Sequence, residues 1–359
     1  MPADAKPIAF IQLDEKSKKL VVTEEAKKHL SAIKGTVGVC TVAGVYRTGK
    51  SYILNQIAGS RNGGFGIGSS VQACTKGIHL WGAPLSMGSH AGSAGTPQNL
   101  LLLDTEGLQS ICATEGHDAK IFSLAILLSS YFVYNSEKAI NNAAIDQLSL
   151  VAQLTNRIRV HAEGGSSAAG SSSSTAELAK FFPQFVWLLR DFQLELESAS
   201  GQDMSPSEYL EECLRPQPGS SAAVAEQNST RSAIRSLFTD RRCIALPHPT
   251  LGTSLPPSAL KNLPSLDKLH AGFRSGVEEL KQSIFGSIQP KTLGGRALTG
   301  PMLLRLAEGY VKSLNDGALP TISTAWQAVI TLESQRALSE AARLYSDGAK
   351  AAAANPSML

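Results

Sequence analysis

The segment from Val37 to Ser51 constrains the fold of this chain more than any other stretch. Its first part, Val37–Ala43, is a short apolar run rich in β-branched side chains, which predicts a buried strand. Gly44–Ser51 then fits the pattern G-x-x-x-x-G-K-[ST], and Tyr52–Ala58 continues with helical apolar spacing. A strand, a glycine-bordered loop and a helix in this order predict a phosphate-binding loop.

The chemistry of such a loop gives its residues distinct tasks. Glycine lets backbone N–H groups approach phosphate oxygens, and the helix N-terminus adds partial positive charge. We expect Lys50 to reach the β- and γ-phosphates and the Ser51 hydroxyl to bind Mg²⁺. Arg47 is either a solvated cation near an anionic ligand or an arginine finger supplied by the same chain. The nucleotide contacts expected here are Gly44, Val45, Tyr46, Arg47, Thr48, Gly49, Lys50, Ser51 and Tyr52.

Two further segments carry residues suited to a magnesium nucleotide. Leu100–Gly107 is a continuous apolar strand that ends in an acid, as a metal-holding strand of a nucleotide hydrolase should. Asp104 can hold Mg²⁺ through water, and the Gly107 N–H can face the γ-phosphate. Thr75 can supply a second hydroxyl to the metal, although spacing alone favours an ordinary loop threonine.

A charged pair follows another buried strand. Phe185–Leu189 is apolar, and Arg190 and Asp191 come directly after it. A carboxylate at this position can accept two N–H bonds from guanine, whereas the plainer interpretation is a surface ion pair. The chain contains no Asn-Lys-x-Asp motif, so the usual signature does not settle the identity of the base.

Strands and helices alternate, which is typical of an α/β fold with a doubly wound, mostly parallel sheet. In such sheets ligands bind beyond the carboxyl ends of the strands, where the loop after Ala43, Asp104–Gly107 and Arg190–Asp191 all fall. After Asp267 the pattern is mostly helical. The other predicted elements are strands at Ile8–Leu13, Leu20–Thr23 and Arg242–Leu246, and helices at Glu24–Ile33, Ile121–Tyr134, Ile140–Val160, Pro206–Leu214 and Asn228–Phe238.

Composition narrows the class of protein. The net charge of +3 on 359 residues comes without a long basic run, so we do not expect nucleic acid as a partner. Five cysteines without regular spacing argue against a disulfide framework. The N-terminus lacks the apolar core of a signal peptide, and Ile121–Tyr134 is too short to span a membrane. We therefore expect a cytoplasmic protein without a transmembrane segment.

These motifs together resemble those of the guanylate-binding protein family, which are large dynamin-related GTPases. The segments that carry the resemblance are Gly44–Tyr52, Ile67–Ser69, Thr75–Gly77, Leu103–Leu108, Phe122–Ser130, Phe132–Asn135, Phe185–Phe192, Lys291–Gly295 and Thr299–Pro301. Pro320–Trp326 and the serine-rich insertions are closer to plant or algal members. Pro247–Pro249 is also similar to the atlastins, relatives that fuse membranes.

The resemblance implies a Mg²⁺-dependent enzyme that hydrolyses GTP to GDP and phosphate. Arg47 would be an intramolecular arginine finger, and Glu106 would help to place the attacking water through a hydrogen-bond relay. The implied catalytic residues are Arg47, Lys50, Ser51, Thr75 and Glu106, and the implied metal ligands are Ser51, Thr75 and Asp104. The further implied nucleotide contacts are Ile67, Gly68, Ser69, Asp104, Thr105, Glu106, Gly107, Leu108, Arg190, Asp191 and Leu246.

The family also implies an organisation and partners. Residues 1–300 would form the large GTPase domain, and residues 301–359 would begin an apparently truncated helical domain. The segment around Leu246–Leu255 would form a guanine cap through which two GTP-bound domains meet as a homodimer. The cellular role implied is defence, immunity or membrane-associated assembly, with peripheral membrane contact left open.

The sequence departs from the family pattern at two positions. Ala73 stands where vertebrate members carry a water-orienting serine, and Leu108 stands where small GTPases carry their catalytic glutamine. The placement of water could then fall to Ser69, Ser70 or a backbone carbonyl. The alternative is a GTP-gated assembly scaffold with weak hydrolysis. A membrane-fusion machine like the atlastins is the third, least favoured hypothesis because the chain shows no membrane span.

Overall fold

A central sheet flanked by helices organises the chain. The computed structural model describes residues 5–60, 64–66, 77–87, 97–105, 107, 115–149, 179–198, 200–262, 264–317 and 322–354. The strands are β1 Pro7–Leu13, β2 Leu20–Val22, β3 Val37–Gly44, β4 Ile78–Trp81, β5 Leu85–Ser86, β6 Asn99–Thr105, β7 Tyr131–Glu137, β8 Gln184–Arg190, β9 Arg241–Leu246, β10 Thr292–Leu293 and β11 Arg296–Ala297. The helices are α1 Glu24–Ala32, α2 Lys50–Ala58, α3 Glu115–Leu128, α4 Asn142–Gln147, α5 Pro206–Cys213, α6 Ala222–Leu237, α7 Ala271–Ser287, α8 Gly300–Asn315 and α9 Ile322–Ala354.

The described strands β1 to β9 form one sheet in the order β2-β1-β4-β6-β3-β7-β8-β9, with β5 paired to β6. β3 pairs in parallel with β6 on one side and with β7 on the other, and β8 and β9 extend this parallel part. β1, β2, β4 and β5 pair in antiparallel fashion. The predicted α/β class with a mostly parallel sheet is confirmed. Its topology brings the carboxyl ends of β3, β6, β7 and β8 to one edge.

Both faces of the sheet are covered, so its parallel strands are buried on two sides. Leu101 and Leu103 point into a core formed with α1, α3 and α8, whereas Leu100 and Leu102 point into a second core formed with α2 and α7. Asn315 at the end of α8 accepts from the Leu20 N–H at 2.9 Å and donates to its carbonyl at 2.8 Å. Helix α8 therefore packs into the core of the sheet and also hydrogen-bonds to the backbone of the edge strand β2.

One predicted helix was wrong in its extent. The apolar run Ile121–Tyr134 divides into the end of α3, which stops at Leu128, and the start of β7 at Tyr131. Two serines lie at the junction, and the aromatic and β-branched residues after them favour a strand between β3 and β8. Of the predicted helix Ile140–Val160, the structure describes α4, and residues 150–160 lie outside the described part.

Among the described residues, no helix combines the length and the apolar composition needed to cross a membrane.

Candidate nucleotide-binding site

The loop between β3 and α2 has the backbone geometry of a phosphate cradle. Gly44 and Gly49 have φ values of 143° and 79°, and α2 starts directly afterwards at Lys50. A Cβ atom on Gly44 would lie 2.0 Å from the carbonyl oxygen of Asn135, so a larger residue cannot fit between β3 and β7. Arg47 has a φ of 63°, which is uncommon for a residue other than glycine, and its side chain is exposed. The loop therefore presents Arg47 towards solvent.

Lysine, serine and aspartate side chains converge at this loop. The Lys50 ammonium is buried and donates to the Val45 carbonyl oxygen at 3.0 Å, which places its charge across the loop. The Ser51 hydroxyl donates to Asp104 Oδ2 at 2.6 Å, and Asp104 is fully buried at the end of β6. A hydroxyl and a carboxylate oxygen in contact suit Mg²⁺, which prefers oxygen ligands and keeps several waters. Ser51 and Asp104 therefore fit a magnesium site.

The segment after β6 lies against the loop. A Cβ atom on Gly107 would lie 2.2 Å from the Cα atom of Tyr46, a contact with backbone that no side-chain movement relieves. The Thr105 hydroxyl donates to the Val42 carbonyl oxygen at 3.1 Å and ties the end of β6 to β3. Glycine at position 107 is therefore required for the close approach of the two segments.

The two residues of the Arg190–Asp191 pair lie in different surroundings. The Arg190 guanidinium is buried and donates from Nη1 to the carbonyl oxygens of Thr48 at 3.2 Å and Gly49 at 3.3 Å. Burial lowers the pKa of Arg190, against the raising effect of Asp191 and other acidic groups. Its Cζ atom lies 5.6 Å from the centre of the Phe273 ring on α7. Arg190 thus lies beneath the loop backbone.

Asp191 instead lines a cavity of about 730 Å³ formed by the segments that follow β7, β8 and β9. Its φ of 56° turns the chain sharply after β8. Lys138 after β7 also lines the cavity, as do His248, Thr250 and Leu251 after β9. The Thr250 N–H donates to His248 Nδ1 at 3.2 Å, which holds the segment after β9 in a turn. The volume of the cavity is sufficient for a purine nucleoside.

Comparison with known proteins decides the family. Residues 17–293 match the family described as guanylate-binding protein, N-terminal domain, and residues 294–357 match the guanylate-binding protein C-terminal domain. The chain belongs to the guanylate-binding protein family.

Among relatives within this family, guanylate-binding protein 2 of Rattus norvegicus is 39% identical over 344 residues, covering 95% of this chain and 56% of the relative. Guanylate-binding protein 1 of Mus musculus is 39% identical over 345 residues, covering 96% of this chain and 56% of the relative. Guanylate-binding protein 1 of Homo sapiens is 39% identical over 329 residues, covering 91% of this chain and 53% of the relative. The chain thus spans about half the length of the curated relatives it matches.

Two residues predicted as nucleotide contacts have side chains in the core of the protein. Tyr52 is 3% exposed, its ring centre lies 6.2 Å from that of Phe273, and burial raises its pKa to about 12. Leu246 is fully buried, and its carbonyl oxygen accepts from the Phe192 N–H at 3.0 Å. Packing in the core with α7 turns both side chains inward, and the two residues stay predicted nucleotide contacts.

Other cavity residues were missed by sequence reasoning. Lys138 was not singled out, because a single lysine after a strand carries no motif, and Thr250 fell within the predicted cap segment Leu246–Leu255 without being named itself. The position of Lys138 after β7, the strand between β3 and β8, was the available signal. Ile67, Gly68, Ser69, Ala73, Thr75, Glu106 and Leu108 lie outside the described residues.

Proposed function

We propose that this protein binds and hydrolyses GTP with Mg²⁺. The observation that carries the proposal is the contact of 2.6 Å between the Ser51 hydroxyl and Asp104, next to the buried Lys50 ammonium. Lysine would bind the β- and γ-phosphates, and the N–H groups at the start of α2 would bind phosphate oxygens. Magnesium would neutralise charge on the phosphate oxygens, held by Ser51, Asp104 and Thr75. Glu106 would act on the attacking water.

Guanine would bind in the cavity that Asp191 lines. Asp191 is the carboxylate among its described lining residues, and a carboxylate accepts both the N1–H and the 2-amino group of guanine. The Asp191→Asn variant should bind xanthosine triphosphate better than GTP, because xanthine carries an oxygen where guanine carries the amino group. Calorimetric titration with both nucleotides measures the ratio of affinities. An unchanged preference for GTP would reject this assignment.

Arg47 would act as an arginine finger within the same chain. Its side chain is exposed, and the described residues offer it neither a hydrogen bond nor an ion pair, so it can turn towards a bound triphosphate. The Arg47→Ala variant should lower kcat by on the order of 10³-fold while GTP affinity is largely kept. Single-turnover hydrolysis with titration of GTP separates the two effects. Near-normal turnover would eliminate the finger role.

Assembly is the second part of the proposal. Two copies would meet through the segment after β9 when GTP is bound, and residues 301–359 would begin the helical domain that follows the GTPase domain of residues 1–300. The relatives are guanylate-binding proteins, which supports the binding of a guanine nucleotide. Light scattering with and without GDP and aluminium fluoride tests dimerisation, and a monomer under both conditions would refute it. A defence role would follow from family membership alone.

A GTP-gated scaffold with weak hydrolysis is the alternative, and Ala73 is the observation that favours it. A small apolar side chain cannot orient water by a hydrogen bond. Single-turnover rates well above those of unassisted small GTPases would eliminate the scaffold hypothesis.

A further inference from the structure

Two arginines lie at the phosphate loop. Arg47 is exposed on the loop, whereas Arg190 is buried beneath it. Arg190 is 5% exposed, and among the described residues no carboxylate lies within ion-pair distance of its guanidinium. A buried charge without an ion-pair partner is costly and is retained where it serves structure or function. The hydrogen bonds of Arg190 therefore indicate its task.

Both hydrogen bonds of Arg190 Nη1 go to loop carbonyls. The acceptors are the carbonyl oxygens of Thr48 at 3.2 Å and Gly49 at 3.3 Å. Asn135 adds a second hold from β7, because its Nδ2 donates to the same Thr48 carbonyl at 3.0 Å and to the Thr48 hydroxyl at 2.6 Å. The underside of the loop is thus fixed by two neighbouring strands.

The direction of these carbonyls also determines the direction of the N–H groups in the same peptide units. Within one planar trans peptide unit, the C=O and the N–H point in opposite directions. The Thr48 carbonyl shares its unit with the Gly49 N–H, and the Gly49 carbonyl shares its unit with the Lys50 N–H. The Gly49 carbonyl also accepts from the Ile53 N–H at 3.1 Å in the first turn of α2, so Arg190 and the helix fix it together. With the Thr48 carbonyl held by Arg190 and Asn135, the N–H groups of Gly49 and Lys50 face the opposite side of the loop, where a phosphate is expected.

Packing leaves the guanidinium little freedom to move. A Cβ atom on Gly49 would lie 2.9 Å from Arg190 Nη1, so the guanidinium lies directly against the loop. The fully buried Phe273 ring lies 5.6 Å from Arg190 Cζ, within the range of a cation–π contact. Arginine also suits this position because its planar group keeps several donors in fixed directions.

We propose that Arg190 is a positioning residue for the phosphate loop and that guanine recognition falls to Asp191 alone of this pair. The inference rests on the proposed function. It assigns the two adjacent residues to the two halves of one nucleotide, the triphosphate and the base. Because they are covalently linked at the end of β8, the same strand end aligns both halves.

The test compares GTP with inosine triphosphate, which lacks the 2-amino group of guanine. Arg190→Gln should weaken the binding of both nucleotides by the same factor, at least tenfold, so that the ratio of their affinities stays as in the wild type. Arg190→Lys, which keeps the charge, should recover part of the affinity for both. Asp191→Asn should instead change the ratio. Isothermal titration calorimetry of the full chain with Mg²⁺ gives all these constants.

Arg231 provides a matched control. It is buried like Arg190, but its guanidinium donates to the Cys213 carbonyl at 3.1 Å and to Asn142 Oδ1 at 2.9 Å, on other elements. Arg231→Gln should lower thermal stability and leave nucleotide affinity unchanged, which separates loop positioning from general loss of structure. If Arg190→Gln does not fold, Arg190→Lys decides by the same ratio.

The outcomes separate the two proposals. A changed ratio of GTP to inosine triphosphate affinity in the Arg190 variants would overturn the inference, because Arg190 would then read the base. Wild-type affinity for both nucleotides in Arg190→Gln and Arg190→Lys would overturn it as well. Absence of GTP binding by the folded wild type would instead overturn the proposed function.

Discussion

Two buried cations lie at opposite ends of the sheet, and both hold backbone carbonyls. Arg190 follows the carboxyl end of the apolar part of β8 and bonds to Thr48 and Gly49 in the phosphate loop. Lys291 lies at the other end, where its ammonium donates to the carbonyl oxygens of Ser129 at 2.7 Å and Phe181 at 3.3 Å, shortly before β7 and β8 begin. A buried cation therefore fixes backbone carbonyls at each end of the parallel strands.

The two cations differ in what can change their charge. Arginine keeps its proton throughout the accessible pH range, so the hold on the phosphate loop is permanent. Burial lowers the pKa of Lys291 to about 7, so this hold varies with pH near neutrality. The cation at the phosphate-loop end therefore keeps its charge, whereas a pKa of about 7 lets Lys291 at the other end lose its proton near neutrality.

The largest effect that can test this contrast comes from a matched pair of glycines. Gly49 (φ 79°) lies at the phosphate-loop end, and Gly35 (φ 81°) lies just before β3 at the distal end. Replacing either by alanine strains a left-handed backbone and should cost about 1–3 kcal/mol of stability. Gly49→Ala should also weaken GTP binding at least tenfold, because its Cβ would lie 2.9 Å from Arg190 Nη1 and displace the loop.

Gly35→Ala is the control for that measurement. A Cβ atom there would meet the Gln98 side-chain oxygen at 1.6 Å, which is the movable end of a side chain remote from the loop. Denaturant unfolding should show similar losses for both variants, and GTP titration should show a loss for Gly49→Ala alone. Equal GTP affinity in the two variants would show that the two ends do not differ as described.

The sequence predicted the parts of the site that depend on local pattern. β3, the loop, Asp104 and β8 were recognisable because a buried strand followed by a glycine or a charge is a short-range signal. The break between α3 and β7 was missed because a continuous apolar run does not distinguish a helix from a strand. The α/β class followed from alternation, whereas the antiparallel edge of β1, β2 and β4 depends on pairing between distant segments.

The task of Arg190 was beyond sequence reasoning for a physical reason. Arginine after a strand reads as a surface residue or a ligand contact, since charged side chains are rarely buried. Its burial depends on Phe273 and on the loop carbonyls, which are brought together by folding. Lys291 was hidden in the same way, because Lys-Thr-Leu-Gly-Gly carries no local sign that its ammonium lies in the core.

The smallest effect expected is the pH dependence that Lys291 imposes on stability. Its folded pKa of about 7 lies below the value near 10.4 expected in the unfolded chain, so between these values the unfolded state binds more protons. Stability should therefore rise with pH, by about 1 kcal/mol from pH 7 to 8 for this group. Lys291→Met should remove that rise without altering GTP affinity, because Ser129 and Phe181 lie far from the phosphate loop along the strands.

Urea unfolding of the wild type and Lys291→Met at several pH values between 7 and 8 measures the difference in slope. Restricting the range to pH 8 keeps the buried tyrosines and cysteines protonated, since burial raises the pKa of Tyr131, Tyr134 and Cys40. Identical slopes would mean that Lys291 stays charged in the fold and is as constant as Arg190. Both cations would then hold their carbonyls at every pH tested. The two ends would differ only in that GTP is proposed to bind at the one with Arg190.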